Sequence, residues 1–134
     1  MVRLEIAALY AGVNILLLLF LAMRIPMMRG KHKVSLGHGD NPDLLRAIRA
    51  HGNAAEYIPA GLVGIVLIAL MEPATPLWLL HASGLTLTIG RILHGGGLMV
   101  SDLNAGRMFG QVLTFISFLL IGGGLIFAAL AQSL

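Results

Sequence analysis

Residues 6–23 read IAALYAGVNILLLLFLAM and are followed at once by RIPMMRGKHK at 24–33. The first stretch is apolar except at Asn14, and a hydrocarbon core about 30 Å thick needs about 20 such residues per helical crossing. The second stretch carries Arg24, Arg29, Lys31 and Lys33. A hydrophobic span closed by bases is held with those bases on the cytoplasmic side. A secretory leader opens in a similar way, but no clear small-residue cleavage site follows and the later runs are too hydrophobic for an exported soluble protein.

The rest of the chain repeats the signal. It has 134 residues, 57% hydrophobic and 11% charged, and a mean hydropathy of +0.89, far from an ordinary soluble domain. That length holds four spans and short loops, with no room for a separate soluble domain. Nine Lys and Arg against six Asp and Glu give a formal charge of +3. Nucleic acid is rejected as the reason, because six of the nine bases (Arg24, Arg29, Lys31, Lys33, Arg46, Arg49) fall in or beside one connection, where they set orientation. With no Cys, disulfides, thiolate metal sites and a Cys nucleophile are excluded, so any thiol chemistry must use a thiol brought by a ligand.

Four helices are expected, at about 3–29, 43–71, 77–100 and 106–131. The Gly-rich, polar stretch 30–42 reads as a loop in which Asn41 or Asp40 can cap the second helix. That helix starts charged, turns apolar after Tyr57, and at 1.5 Å per residue is roughly 44 Å long. Residues 72–76, with two prolines, form a turn, and Trp78 suits the membrane interface. The third span contains His81, Arg91 and His94 and ends in Gly95, Gly96 and Gly97, which weaken a helix or admit a neighbouring backbone. The fourth begins at Arg107 and has no further ionisable side chain; Gly122, Gly123 and Gly124 suggest tight packing there. The counts of bases place the first and third connections in the cytoplasm and both termini on the other side.

At 100° per residue, Arg46, Arg49, Asn53 and Glu56 fall within a wedge of about 80°, with Tyr57 beside it and His51 pointing away. Such a stripe entering a bilayer is costly unless it faces partners or a wet cavity. Each residue alone has a bland explanation: Glu56 can pair with Arg49, Arg91 or Arg107, and Asn53 can bridge two helices. Together, Arg24, Arg46, Arg49, Arg91 and Arg107 outnumber Glu56, Asp40, Asp43 and Asp102 at one end, and an excess of guanidinium suits an anionic ligand. His81 and His94 read as buried hydrogen-bonding residues rather than metal ligands, Asn14 as an interhelical contact, and no metal site is expected.

The stretch DNPDLLRAIRAHGNAAEYIP at 40–59 resembles the second-helix signature of the MAPEG family, the membrane-associated proteins in eicosanoid and glutathione metabolism. Its pattern is Arg-x-x-x-Asn-x-x-Glu with a Pro soon after. A basic end to the first helix, Gly90 and Arg91 in the third, and an Arg opening the fourth extend the resemblance over essentially the whole chain, closest to the short bacterial branch. The resemblance implies an all-α integral membrane protein, a homotrimer of four-transmembrane-helix bundles in the bacterial inner membrane, with glutathione bound between neighbouring subunits and open toward the cytoplasm. It implies glutathione contacts at Arg49, Asn53, Glu56 and Tyr57, with Arg46 in the same stripe, a basic contact from Arg24, a buried pairing role for Arg91, and thiol activation by Arg107. Gly52 stands where some relatives have a further Arg, and Leu98 near a Tyr of the eicosanoid enzymes. The implied activity is therefore general glutathione transfer or peroxidase chemistry on a lipophilic electrophile arriving from the membrane lipids.

Two other classes compete. A non-catalytic binding or assembly protein keeping the same fold would show no rate enhancement. A small transporter needs an ionisable group in the membrane for proton coupling, and the first span offers only Asn14, while Glu56 sits among arginines.

Overall fold

The protein is described by a computed structural model over residues 2–132. Four helices follow one another: α1 (Val2–His32), α2 (Pro42–Leu70), α3 (Leu77–Val100) and α4 (Ala105–Gln132). The α1–α2 and α3–α4 connections share one end of the bundle, and the α2–α3 turn lies at the other. Helices α2 and α3 each pack against all three others, whereas α1 and α4 do not meet among the described residues. The inward faces of α2 and α3 therefore form the centre of the bundle.

Each helix end has a local cause. Asn41 Oδ1 accepts from Leu44 N at 2.9 Å, and Pro42 follows as the first helical residue, where its missing N–H costs nothing. Asn104 does the same for α4, accepting from Arg107 N at 2.9 Å, while its Nδ2 donates to Gly97 O at 2.6 Å. One side chain thus joins the last turn of α3 to the first turn of α4. Helix α1 continues through Pro26 to His32, past the end expected near residue 29. The basic flank stays helical because Arg29 donates to Ser35 O at 2.8 Å and His32 Nδ1 lies 3.0 Å from Asn41 Nδ2, which ties the α1–α2 loop to α1.

Two apolar clusters fill the bundle. One, around Ile65, Ile68, Leu80 and Leu87, lies toward the α2–α3 turn; the other, around Leu21, Ala54, Ile58 and Leu98, lies toward the basic end. Between them runs a belt of buried polar groups. Asn14 donates to Thr88 Oγ1 at 2.8 Å, the interhelical contact read from the sequence; Ser117 donates to Ser83 O at 2.8 Å; and Tyr10 Oη lies 3.0 Å from His81 Nδ1. At the far end Arg3, invisible to motif reading, donates to Ile68 O at 3.1 Å and to Thr75 Oγ1 at 2.7 Å. A cation there also meets the negative end of the α2 dipole.

The outside is the reverse of a soluble protein. Leu9, Leu16, Phe20, Val63, Leu119 and Phe127 are all more than half exposed, which only a lipid surround makes favourable. Among the described residues α1, α2 and α4 are each long and apolar enough to cross a membrane. Helix α3 falls short of that measure by itself, because Arg91 and His94 lower its hydropathy. Both are buried, so α3 completes a four-helix membrane bundle from its interior.

Glycine decides how closely α3 and α4 approach. A Cβ at Gly110 would stand 2.4 Å from His94 N, and one at Gly97 would stand 2.5 Å from Arg107 N. In each expected triplet only the third residue is tightly packed: Gly97 against Arg107, and Gly124 against Leu79, whereas Gly96, Gly122 and Gly123 face open space.

Candidate functional site

At the basic end, α2, α3, the start of α4 and both connections enclose a cavity of about 780 Å3. Its α2 wall carries Arg46, Arg49, Asn53 and Glu56, its α3 wall His94 and Leu98, and its α4 wall Arg107. Five of the eight residues singled out in the sequence are thus brought to one space. The stripe on α2 faces it because the adjoining face of the same helix, with Ala50, Ala54 and Ile58, is buried in the basic-end cluster.

The charges divide into two groups. Arg46 is engaged: it pairs with Asp43 one turn earlier and reaches Asp102 at 3.3 Å. Arg107 donates to the backbone carbonyl of Asp102. Arg49 and Glu56, both exposed, have no hydrogen bond or ion pair among the described residues. Glu56 does not pair with Arg49, Arg91 or Arg107 in the chain, so it does not hold the bundle together through those ion pairs. Seven residues along a helix separate two backbone positions by about 10 Å while keeping their side chains on one face. The cavity therefore offers a guanidinium and a carboxylate, each unmet, carried by residues two helical turns apart on one wall.

Arg91 lies behind this wall and not in it. It is 1% exposed, and its guanidinium donates to Thr114 Oγ1 at 2.9 Å, Asn53 Oδ1 at 2.5 Å, Gln111 Oε1 at 3.3 Å and Gly110 O at 3.4 Å. All four acceptors are neutral. Tyr57 spreads its ring 5.0 Å from the same guanidinium and meets Phe118 edge-on at 5.6 Å, a cation–π arrangement. Tyr57 thus packs on Arg91 and is not among the residues lining the cavity. Because arginine can only donate, Asn53 must turn its oxygen to Arg91 and present its NH2 to the cavity.

Arg24 lines a second, smaller cavity of about 240 Å3 between α1, α2 and the end of α3. It does not join the residues of the larger cavity. Sequence reading missed His94 and Asp102 as lining residues. The signal for His94 was its place one turn after Arg91 on the same face of α3. Asp102 was placed at this end among the acids that offset the arginines, but an acid in a four-residue turn gave no sign that it lines the cavity.

A bundle of four membrane helices with one basic, cavity-bearing end defines a small integral membrane protein. The family model of the MAPEG family matches residues 7–127, and the chain belongs to that family. It is also similar to the inner membrane protein YecN in two strains of Escherichia coli, with 39% identity over 90 residues in each case. That alignment covers 66% of this chain and 66% of either relative, just under two thirds of their length.

Proposed function

We propose that this protein binds glutathione in the larger cavity and uses it as a thiol on lipophilic electrophiles or hydroperoxides, as a transferase or peroxidase. The observation that carries the reading is the pair Arg49 and Glu56, opposite charges left unmet on one wall. Glutathione has one ammonium, which Glu56 can accept, and two carboxylates, which suit Arg49 and its neighbours. Asn53 adds a donor for a ligand carbonyl or carboxylate, and Leu45, Ile48 and Leu98 add apolar wall.

The chemistry is thiol activation. An ordinary thiol has a pKa of about 8.5, so little is thiolate at neutral pH. Arg107, released from the Asp102 carbonyl, places its guanidinium beside the sulfur and favours the anion. The thiol proton leaves through water in the open cavity. The thiolate then forms a carbon–sulfur bond as the electrophile's leaving group departs with its electron pair. With a hydroperoxide it takes the terminal oxygen and releases the alcohol, and a second glutathione then gives the disulfide and water.

The same reading includes assembly and placement. Arg49 and Glu56 are exposed in a single subunit, and charges at that depth call for a covering protein surface or water. A homotrimer of this chain, with the cavity between neighbours, supplies that cover. The basic end faces the cytoplasm of a bacterial inner membrane, with the termini opposite. Calorimetric titration of glutathione into purified protein, together with turnover of an aromatic electrophile and a lipid hydroperoxide, tests the proposal. Absence of binding heat ends it. Heat without turnover leaves a binding protein, a reading favoured by the bond that already holds Arg107 to Asp102.

A further inference from the structure

The smaller cavity has a chemistry of its own. On α1, Arg24, Met28 and Lys31 are spaced by four and three residues and form one stripe; they face Asp43, Arg46 and Met99 across a space of about 240 Å3. Arg46 is satisfied by Asp43 and Asp102, which consumes the cavity's one carboxylate. Arg24, half-buried, and Lys31 are left with no hydrogen bond or ion pair among the described residues. Arg24, half-buried at the margin of a bilayer without a counter-ion, calls for one supplied from outside, and the exposed Lys31 stands on the same stripe to share it.

We propose that this second cavity binds the phosphate of an anionic phospholipid, with the acyl chains lying on the adjoining face of α1. Three features select that occupant. The volume falls below the range of about 300–1,000 Å3 that drug-sized ligands fill, and a phosphodiester is smaller than a tripeptide. Arg24 closes the apolar run of α1, which is the level at which lipid phosphates lie, and basic pockets between helices on the cytoplasmic side are suited to such headgroups. Phe20 and Leu16, each more than half exposed, lie one and two turns before Arg24 at about 40–80° from it around α1, so an apolar track leads from the cations toward the bilayer interior.

Two residues connect this site with the proposed glutathione site: Arg46, which lines both cavities, and Arg24, the basic contact that the family resemblance implies. The test uses the purified full chain in detergent, titrated with phosphatidylglycerol or phosphatidylcholine and read by native mass spectrometry, with helicity checked for every variant. Wild type is expected to retain phosphatidylglycerol preferentially. Arg24→Gln and Lys31→Gln should each reduce that preference about fivefold, the effect of one base at a lipid surface. Lys33→Gln removes the same charge from the exposed loop outside the cavity, and should change it little.

Lys31→Gln should leave the heat of glutathione titration intact, so failure of the glutathione reading would not touch this one. The proposal is overturned if phosphatidylcholine is retained equally, or if Lys33→Gln acts as strongly as Lys31→Gln, which would mean diffuse surface attraction. It is overturned in favour of a soluble anion if inorganic phosphate displaces the lipid completely. It is overturned in favour of a shared tripeptide site if Arg24→Gln abolishes glutathione heat and leaves the lipid preference unchanged.

Discussion

Arg91 Nη1 donates to Asn53 Oδ1 across 2.5 Å, joining the buried centre of α3 to the wall of the larger cavity. The same guanidinium reaches Thr114, Gly110 and Gln111 on α4, so one side chain locks three helices together. It also sets the polarity of the cavity wall, because Asn53 is left with donors only. A buried arginine among neutral acceptors is costly in a membrane. Here the cost maintains the orientation of a residue that lines the larger cavity.

Replacing Asn53 by Asp separates the two roles. Asn53→Asp gives Arg91 a charged acceptor, so thermal stability in detergent should hold or rise. The cavity would then present an acceptor in place of a donor, and glutathione affinity by calorimetry should fall at least about tenfold, the loss of one hydrogen bond to a charged group. Unchanged affinity would show that the Asn53 amide does not face the ligand.

Removing Arg91 itself should act on the fold first. Arg91→Met leaves Asn53, Thr114 and Gln111 without their donor, and unsatisfied buried groups cost about 1–3 kcal/mol each. A large drop in unfolding temperature is expected. Arg91→Lys keeps the charge but cannot fork to α2 and α4 together, and should fall between wild type and Arg91→Met.

Fold class was legible because lipid imposes long apolar runs, and the run at 6–23 is unambiguous. The stripe on α2 was legible because helical periodicity places Arg46, Arg49, Asn53 and Glu56 on one face whatever the rest does. Partners were not legible. Nothing in the spacing tells that Asp43 and Asp102 both engage Arg46, that Tyr57 turns to Arg91, or that Arg24 faces another space, since these depend on how the helices cross. The crossing of α3 and α4 is set by Gly90, Gly97 and Gly110, and the last of these is an isolated glycine that no pattern distinguishes.

Two neighbouring glycines therefore predict opposite outcomes. A Cβ at Gly96 meets nothing within 4 Å, and Gly96→Ala should be neutral or stabilise by up to about 1 kcal/mol through helix propensity. At Gly97 the Cβ would stand 2.5 Å from Arg107 N and 2.6 Å from Asn104 Oδ1. Gly97→Ala must push α4 away and disturb the Asn104 cap, lowering the unfolding temperature and weakening any function of Arg107. Equal effects at the two positions would contradict the close approach.

The unmet pair can be tested from the ligand side. Glu56→Gln should weaken glutathione, and N-acetylation of the glutathione amine should weaken binding to wild type by a similar factor. If the two groups meet, acetylation should matter little in the Glu56→Gln variant, as expected for partners in a double-mutant cycle. Arg49→Gln should behave in the same way toward a carboxamide analogue. Additive losses would mean that the charges on α2 act only as a general field.

Arg107 gives the sharpest dependence on pH. A guanidinium beside the sulfur favours the thiolate, so the bound thiol should ionise below its ordinary value of about 8.5. Turnover should then rise with pH through that lowered value and level off near neutrality. In Arg107→Ala the thiolate has lost its counter-charge, and the rising limb should move up toward about 8.5, with the rate at neutral pH lower by at least tenfold. Arg107→Lys retains a charge and should recover part of the shift. Absorbance of the thiolate in the ultraviolet, recorded against pH with glutathione bound, reads the ionisation directly. A profile that stays in place when Arg107 is removed would assign the activation to another group, and His94, buried on the same cavity wall, is the next residue to substitute.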